Sequence, residues 1–176
     1  MCRKPGFGAF SKSNDQLQGK RFHYGLANPP FGFKWEKDQK AVNKERVELG
    51  FAGRFGAALP RISDGSMLFL QTLVSKMEAP EHGGGREGIL LSGSPLFNGS
   101  AGSGESEIRR WLLEQDFVEA IFSLPNDMFF NTGKRSQNCR DALGGRGMRF
   151  IFSVLYSHYK KPTIPEWLII CANNRD

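Results

Sequence analysis

The chain has 176 residues, enough for one ordinary α/β domain and no more. Hydrophobic residues make up 39% and charged residues 24%, and no apolar run approaches the roughly 20 residues of a bilayer span. No helical membrane span is expected, and a soluble cytoplasmic protein is. Arg3 and Lys4 are followed by no apolar segment, so no signal peptide is expected. Cys2, Cys139 and Cys171 are widely separated and lack metal-ligand spacing, which predicts free thiols, no disulfide and no metal site. The net charge of +6 suggests a nucleic-acid partner, but its distribution weakens the point. Residues 134–163 carry seven basic residues against Asp141 alone, so the rest of the chain is neutral.

Taken in chain order, residues 1–20 are polar and rich in Gly, Ser and Asn, an irregular entry. Arg21–Ala27 alternates apolar with polar residues and predicts a half-buried strand. It ends in Asn28-Pro29-Pro30-Phe31. Lys34–Leu49 is highly charged with no clean apolar face, which fits an exposed helix or a loop. Gly50–Gly65 is glycine-rich and carries Arg54 and Arg61, either a surface contacting DNA or another subunit, or a plain connector. Asp64 or Ser66 is positioned to cap a helix whose Leu70, Leu73, Val74 and Met77 fall on one face. His82 sits in a glycine turn, where exposure is expected. Ile89-Leu90-Leu91 begins a short buried strand. Glu105 and Glu107 suit the start of a helix with Ile108, Trp111 and Leu112 on its buried stripe. Phe117–Leu124 reads as another strand, stopped by Pro125. Strands alternating with helices predict a parallel sheet covered on both faces.

The strand-end tetrapeptide carries the chemistry. An amide, two ring-locked prolines and an aromatic suit a pocket for a planar base bearing an amino group. The lone pair of such an amine is delocalised into the ring, which makes it a poor nucleophile. Two acceptors aimed at its N–H groups draw the nitrogen out of plane; the Asn28 side-chain oxygen and the Pro29 carbonyl are the candidates. The prolines lack backbone donors, so Pro29 and Pro30 offer carbonyls without competing N–H groups. Phe31 is the candidate to stack on a base outside the duplex, a contact worth roughly 1–3 kcal/mol. The alternative is purely structural: a strand ending in a Pro-Pro turn, with Asn as a cap and Phe in the core.

Further stretches stand at a specific spacing around that turn. They include Ser13-Asn14-Asp15-Gln16, Gly19-Lys20-Arg21-Phe22, Leu26-Ala27-Asn28-Pro29-Pro30-Phe31-Gly32, Gly50-Phe51-Ala52-Gly53-Arg54-Phe55-Gly56, Asp64–Gln71, Gly93-Ser94-Pro95-Leu96-Phe97, Gly102–Trp111 and Asn131-Thr132-Gly133. From about Ser11 to Gly133 the chain resembles the modification (M) subunit of type I restriction–modification systems, the adenine-specific DNA methyltransferases. The resemblance implies an α/β fold, the C-terminal half of a Rossmann-like S-adenosylmethionine-dependent methyltransferase sheet, with the cofactor-binding half missing. The strand before Asn28 would be the fourth, and the chain would supply strands four to seven. The resemblance also implies a second aromatic for the flipped base, for which Phe129 and Phe130 are both candidates. S-adenosylmethionine is the implied cofactor, although the family's glycine loop is absent from this chain and Gly6-Phe7-Gly8 is a poor substitute. The implied partners are double-stranded DNA, a specificity (S) subunit, a second M subunit and a restriction (R) subunit, with no membrane.

The reading divides the chain into residues 1–133, a partial methyltransferase domain; 134–162, a basic insertion that does not match the family; and 163–176, the family's displaced final strand. The insertion's apolar half, Phe150–Tyr156, is either an extra strand or an aggregation-prone segment if left unpaired. Sequence thus leads to a partial site-specific adenine-N6 DNA methyltransferase, its isolated activity in question. The rivals are an inactive remnant that contacts DNA or subunits, and methylation of RNA or protein through the same turn.

Overall fold

The structure is a computed structural model that describes Phe10, Asp15, residues 17–124, and the backbone of two later strands. Five strands form one sheet: β1 (Tyr24–Ala27), β2 (Gly85–Ser92), β3 (Val118–Leu124), β4 (Arg149–Tyr156) and β5 (Ile169–Cys171), in the order β1-β2-β4-β3-β5. Four helices accompany them: α1 (Gln39–Leu49), α2 (Ser66–Ser75), the single turn α3 (Ser94–Phe97) and α4 (Gly104–Glu114).

The expectation of a wholly parallel sheet is corrected. β1 pairs with β2, and β3 with β5, in parallel; β4 runs antiparallel between β2 and β3. The crossover through α3 and α4 keeps β2 and β3 parallel, as strand–helix alternation requires. The reversed strand comes from Phe150–Tyr156, whose apolar backbone is paired along both edges. β2 begins at Gly85, four residues before the expected Ile89.

Nor is the sheet covered on both faces by described residues. Ile89 and Leu91 project from one face of β2 into the main core with Met67, Leu70 and Val74 of α2, Met77 just beyond it, and Ile108 and Leu112 of α4. Each such side chain contributes about 1.5–3 kcal/mol on burial. On the other face, Tyr24 and Leu26 are 81% and 93% exposed. β1 was expected to be half-buried, but its large side chains point outward and only Gly25 and Ala27 face the core side. Alternation reveals that a strand has two faces; it does not reveal which one finds a partner layer.

A second core lies on the far side of α2, built from Phe10, Trp35, Val42, Phe55 and Leu68. Phe10 meets the rings of Phe33, Phe55 and Phe69 at centroid distances of 5.9, 6.2 and 4.7 Å. Within the charged segment Lys34–Leu49, of the helix and loop alternatives the helix is found, from Gln39 to Leu49 after a 3-10 turn at Glu36–Asp38. It buries Val42 and Glu45, and Glu45 grips Arg54 through 3.0 Å (Nε to Oε1) and 2.7 Å (Nη2 to Oε2) hydrogen bonds. Arg54 also donates to the Phe10 carbonyl at 2.7 Å and lies 4.7 Å from the Phe55 ring centroid. The glycine-rich stretch is therefore pinned inward, through Phe55, Ala58 and this ion pair.

Candidate functional site

Asn28-Pro29-Pro30-Phe31 follows β1 directly, at the carboxyl end of the parallel pair β1–β2. Pro29 is buried, Asn28 and Pro30 are exposed, and Phe31 is 36% exposed. Among the described residues the Asn28 side chain makes no hydrogen bond, so its carboxamide is presented outward with both polar atoms available. The inward, capping role that would have made the turn purely structural is not what Asn28 does.

The turn is held from behind. Gly32 has φ +64°, a left-handed conformation that favours glycine, and the reversal sends Phe33 and Trp35 back into the second core. The Gly65 N–H donates to the Phe33 carbonyl at 2.8 Å, the Trp35 N–H to the Ile62 carbonyl at 3.1 Å, and the Trp35 indole to the Arg61 carbonyl at 2.9 Å. Gly65 approaches so closely that a Cβ there would lie 3.2 Å from the Phe33 oxygen. These bonds fix residues 32–35 and leave Asn28, Pro30 and Phe31 at the surface, with Pro29 buried beneath them.

Next to that anchor runs a polar network that sequence reasoning missed. Asp64 Oδ1 accepts from the Ser66 N–H at 3.0 Å and the Ser66 hydroxyl at 2.6 Å, while Oδ2 accepts from the Ser94 hydroxyl at 2.5 Å. Ser94 in turn meets Ser92 Oγ at 2.9 Å. Asp64 thereby ties the start of α2 to the end of β2, at the same end of the sheet as Asn28. Sequence suggested Asp64 or Ser66 as a helix cap; Asp64 does receive the Ser66 N–H, but the reach to Ser94, thirty residues on, has no local signature.

Glu87 is the other residue sequence passed over. It is 1% exposed, opposite Gly25 in the β1–β2 register, and its Oε2 has no hydrogen-bond partner. Burial pushes its carboxyl up to about 7. A Cβ at Gly25 would collide with this carboxylate, so the glycine provides its space.

The six sequence-predicted site residues divide cleanly. Asn28, Pro29, Pro30 and Phe31 lie together on one turn; Phe129 and Phe130 lie outside the described residues, as does Gly6-Phe7-Gly8. β2 does lead into a glycine-rich stretch followed by Glu105, but that carboxylate is 8% exposed and accepts from the Arg61 N–H at 3.0 Å, so it is not presented to a ribose. The described residues thus offer no such loop for S-adenosylmethionine. His82 is exposed, and among the described residues its ring meets Glu78 at 3.3 Å. Among the described residues no three His, Cys, Asp or Glu side chains are grouped to hold a metal, and no helix is long and apolar enough to cross a membrane.

The chain is similar to several known proteins. Residues 8–137 match the family model of the N-6 DNA methylases. The chain is 26% identical over 122 residues to the type I restriction enzyme MjaIX methylase subunit of Methanocaldococcus jannaschii, covering 69% of this chain and 20% of that one. Its fold resembles that of the type I restriction–modification system methyltransferase subunit from Streptococcus thermophilus, with a TM-score of 0.59 and 21% identity over 81% of this chain and 25% of that one. A third likeness, at TM-score 0.49 and 23% identity, is to a structure concerning complex assembly in a type I R-M system; it covers 79% of this chain and 22% of that one. The chain spans about a fifth to a quarter of the length of these relatives. With the match reaching from before the strand-end turn to beyond β3, the chain belongs to the N-6 DNA methylase family.

Proposed function

We propose that this chain is the base-binding part of a site-specific, adenine-specific DNA methyltransferase, the M subunit of a type I restriction–modification system. In this reading it supplies the C-terminal half of a Rossmann-like sheet, and the glycine loop that holds S-adenosylmethionine is not among its residues. Among the described residues no strand pairs with the outer edge of β1, and Tyr24 and Leu26 stand exposed; both support that assignment, because an unpaired edge and uncovered apolar side chains are what a half-sheet leaves. Residues 1–133 form the methyltransferase portion, 134–162 an insertion and 163–176 the displaced last strand.

The observation that carries the reading is the outward Asn28 carboxamide on a backbone pinned by Gly65 and Trp35. A flipped adenine presents its exocyclic amine to the Asn28 side-chain oxygen and the Pro29 carbonyl. Both accept an N–H, the nitrogen pyramidalises, and its lone pair becomes available for attack on a methyl group. Phe31 stacks on the ring, offsetting part of the few kcal/mol spent in unstacking the base. Phe129 or Phe130 supplies the opposite wall. Positioning and desolvation, rather than a strong base, are what such a displacement requires, and the turn itself contains neither a histidine nor a carboxylate. S-adenosylmethionine is the methyl donor the family implies; the partners are duplex DNA, an S subunit, a second M subunit and an R subunit.

The test is a chimaera. Residues 8–137 replace the matching segment of a complete type I methylase subunit, and transfer of labelled methyl to adenine in duplex DNA is measured. Transfer that Asn28→Ala abolishes in a folded, cofactor-binding chimaera supports the reading. A folded, cofactor-binding chimaera that methylates nothing favours the rival, an inactive remnant. Label appearing in RNA would move the substrate class.

A further inference from the structure

A second site lies at the opposite end of the sheet from Asn28. Arg21 precedes β1 and Asn28 follows it, a separation of roughly 20 Å at about 3.3 Å per extended residue. Around the amino end of β1, the 17–21 loop, the 51–57 loop, α2 and Trp111 of α4 enclose a cleft of about 380 Å³, within the size range of small-molecule sites.

Its chemistry is specific. Gln71 lines the cleft and is 1% exposed. Its Nε2 donates to the Ala58 carbonyl at 3.1 Å and the Met67 carbonyl at 3.3 Å, which fixes the amide so that Oε1 is the atom left over. That oxygen is buried and has no hydrogen-bond partner. A buried acceptor held in one orientation and left unsatisfied calls for an N–H or O–H donor from something that enters.

The charges divide into neutralised and unneutralised groups. Lys76 is paired with Asp15 at 2.5 Å, and Arg54 with Glu45 at 2.7 Å. Asp15 is acidified: burial opposes its ionisation, but the Lys76 ammonium and the Leu17 N–H outweigh it. Lys20 and Arg21 also line the cleft, and among the described residues neither makes a salt bridge; the Arg21 guanidinium donates only to the Met77 carbonyl at 3.0 Å. Two adjacent cations thus stand at one side of the cleft. Trp111 and the 74% exposed Phe51 supply aromatic surface within it.

We propose that this cleft binds a nucleotide, with an exocyclic amino N–H of the base donated to Gln71 Oε1, the ring against Trp111 or Phe51, and the phosphate at Lys20 and Arg21. The anionic group matches the unpaired cations, the ring matches the aromatic surface, and its donor satisfies the orphaned acceptor.

Calorimetry on the full chain tests this with adenosine 5′-monophosphate, adenosine and inorganic phosphate. The expected result is binding of the monophosphate, with the other two each weaker by roughly tenfold or more, since each makes only part of the contact set. The double variant Lys20→Glu, Arg21→Glu, both positions exposed, is expected to weaken the monophosphate by at least roughly tenfold while leaving adenosine nearly unchanged. Amide chemical-shift changes should gather at residues 18–21 and 71–76. Three results overturn the proposal: no binding of the monophosphate at millimolar concentration; phosphate binding as tightly as the nucleotide, which marks a bare cationic patch; or shift changes gathered at Asn28–Phe31.

Discussion

Replacing Glu87 with glutamine converts a buried titrating group into a neutral one of the same shape. Burial holds the Glu87 carboxyl at about 7 against an ordinary value of 4.5. The folded chain therefore keeps the proton more tightly than the unfolded chain does. The stability this contributes is complete below 4.5, falls as pH rises through the interval to 7, and is lost above it. At roughly 1.4 kcal/mol per unit, the penalty of folding with an ionised Glu87 at pH 8 is about 3 kcal/mol. Glu87→Gln has no such penalty. It should exceed the parent by about 3 kcal/mol at pH 8, a shift of roughly 1.5 M in the urea midpoint, and the two should converge toward pH 5. Urea unfolding followed by tryptophan fluorescence between pH 5 and pH 8.5 gives the difference directly, and the histidines cancel because both proteins carry them. A difference independent of pH, or a variant less stable at pH 8, would refute the argument that Glu87 is buried without a partner.

Other outcomes follow from the same packing. Arg54→Ala removes the guanidinium paired with Glu45, whose side chain is 5% exposed; chemical denaturation should show a loss of roughly 3–5 kcal/mol, and a loss below about 1 kcal/mol would mean the pair is solvated. Gly104→Ala places a methyl group against the Leu59 carbonyl and should cost roughly 1–3 kcal/mol, read as a lowered Tm; an unchanged Tm would mean the 57–60 loop yields freely. The isolated chain should give no heat of binding with S-adenosylmethionine in calorimetry, because its described residues offer no cofactor loop; a micromolar affinity would contradict this.

Legibility in the sequence followed locality. The faces of α2 and α4 were readable because Leu70, Val74, Ile108 and Leu112 repeat at helical spacing, and all four are buried. The strand-end turn was readable because four adjacent residues carry the whole pattern. What escaped were the links between distant segments. α1 looked solvated because its buried face includes a carboxylate, which pairing with Arg54 helps to make tolerable. β4 was an apolar run of open role until β2 and β3 were seen on either side of it. The Asp64–Ser94 bond joins residues thirty apart, and Glu87 reads as a surface residue in a strand until its register opposite Gly25 is known. Side-chain periodicity records which faces differ; the partner of each face is decided in three dimensions.

The most direct measurement of the account is the affinity of the chain for a duplex oligonucleotide carrying one unpaired adenine, against the same duplex carrying unpaired purine, which lacks the amino group. Two acceptors at Asn28 and Pro29 predict tighter binding of adenine by roughly tenfold, about 1.4 kcal/mol, with the preference removed by Asn28→Ala. Equal affinities, or a preference that survives Asn28→Ala, would contradict the claim that this turn recognises an amine.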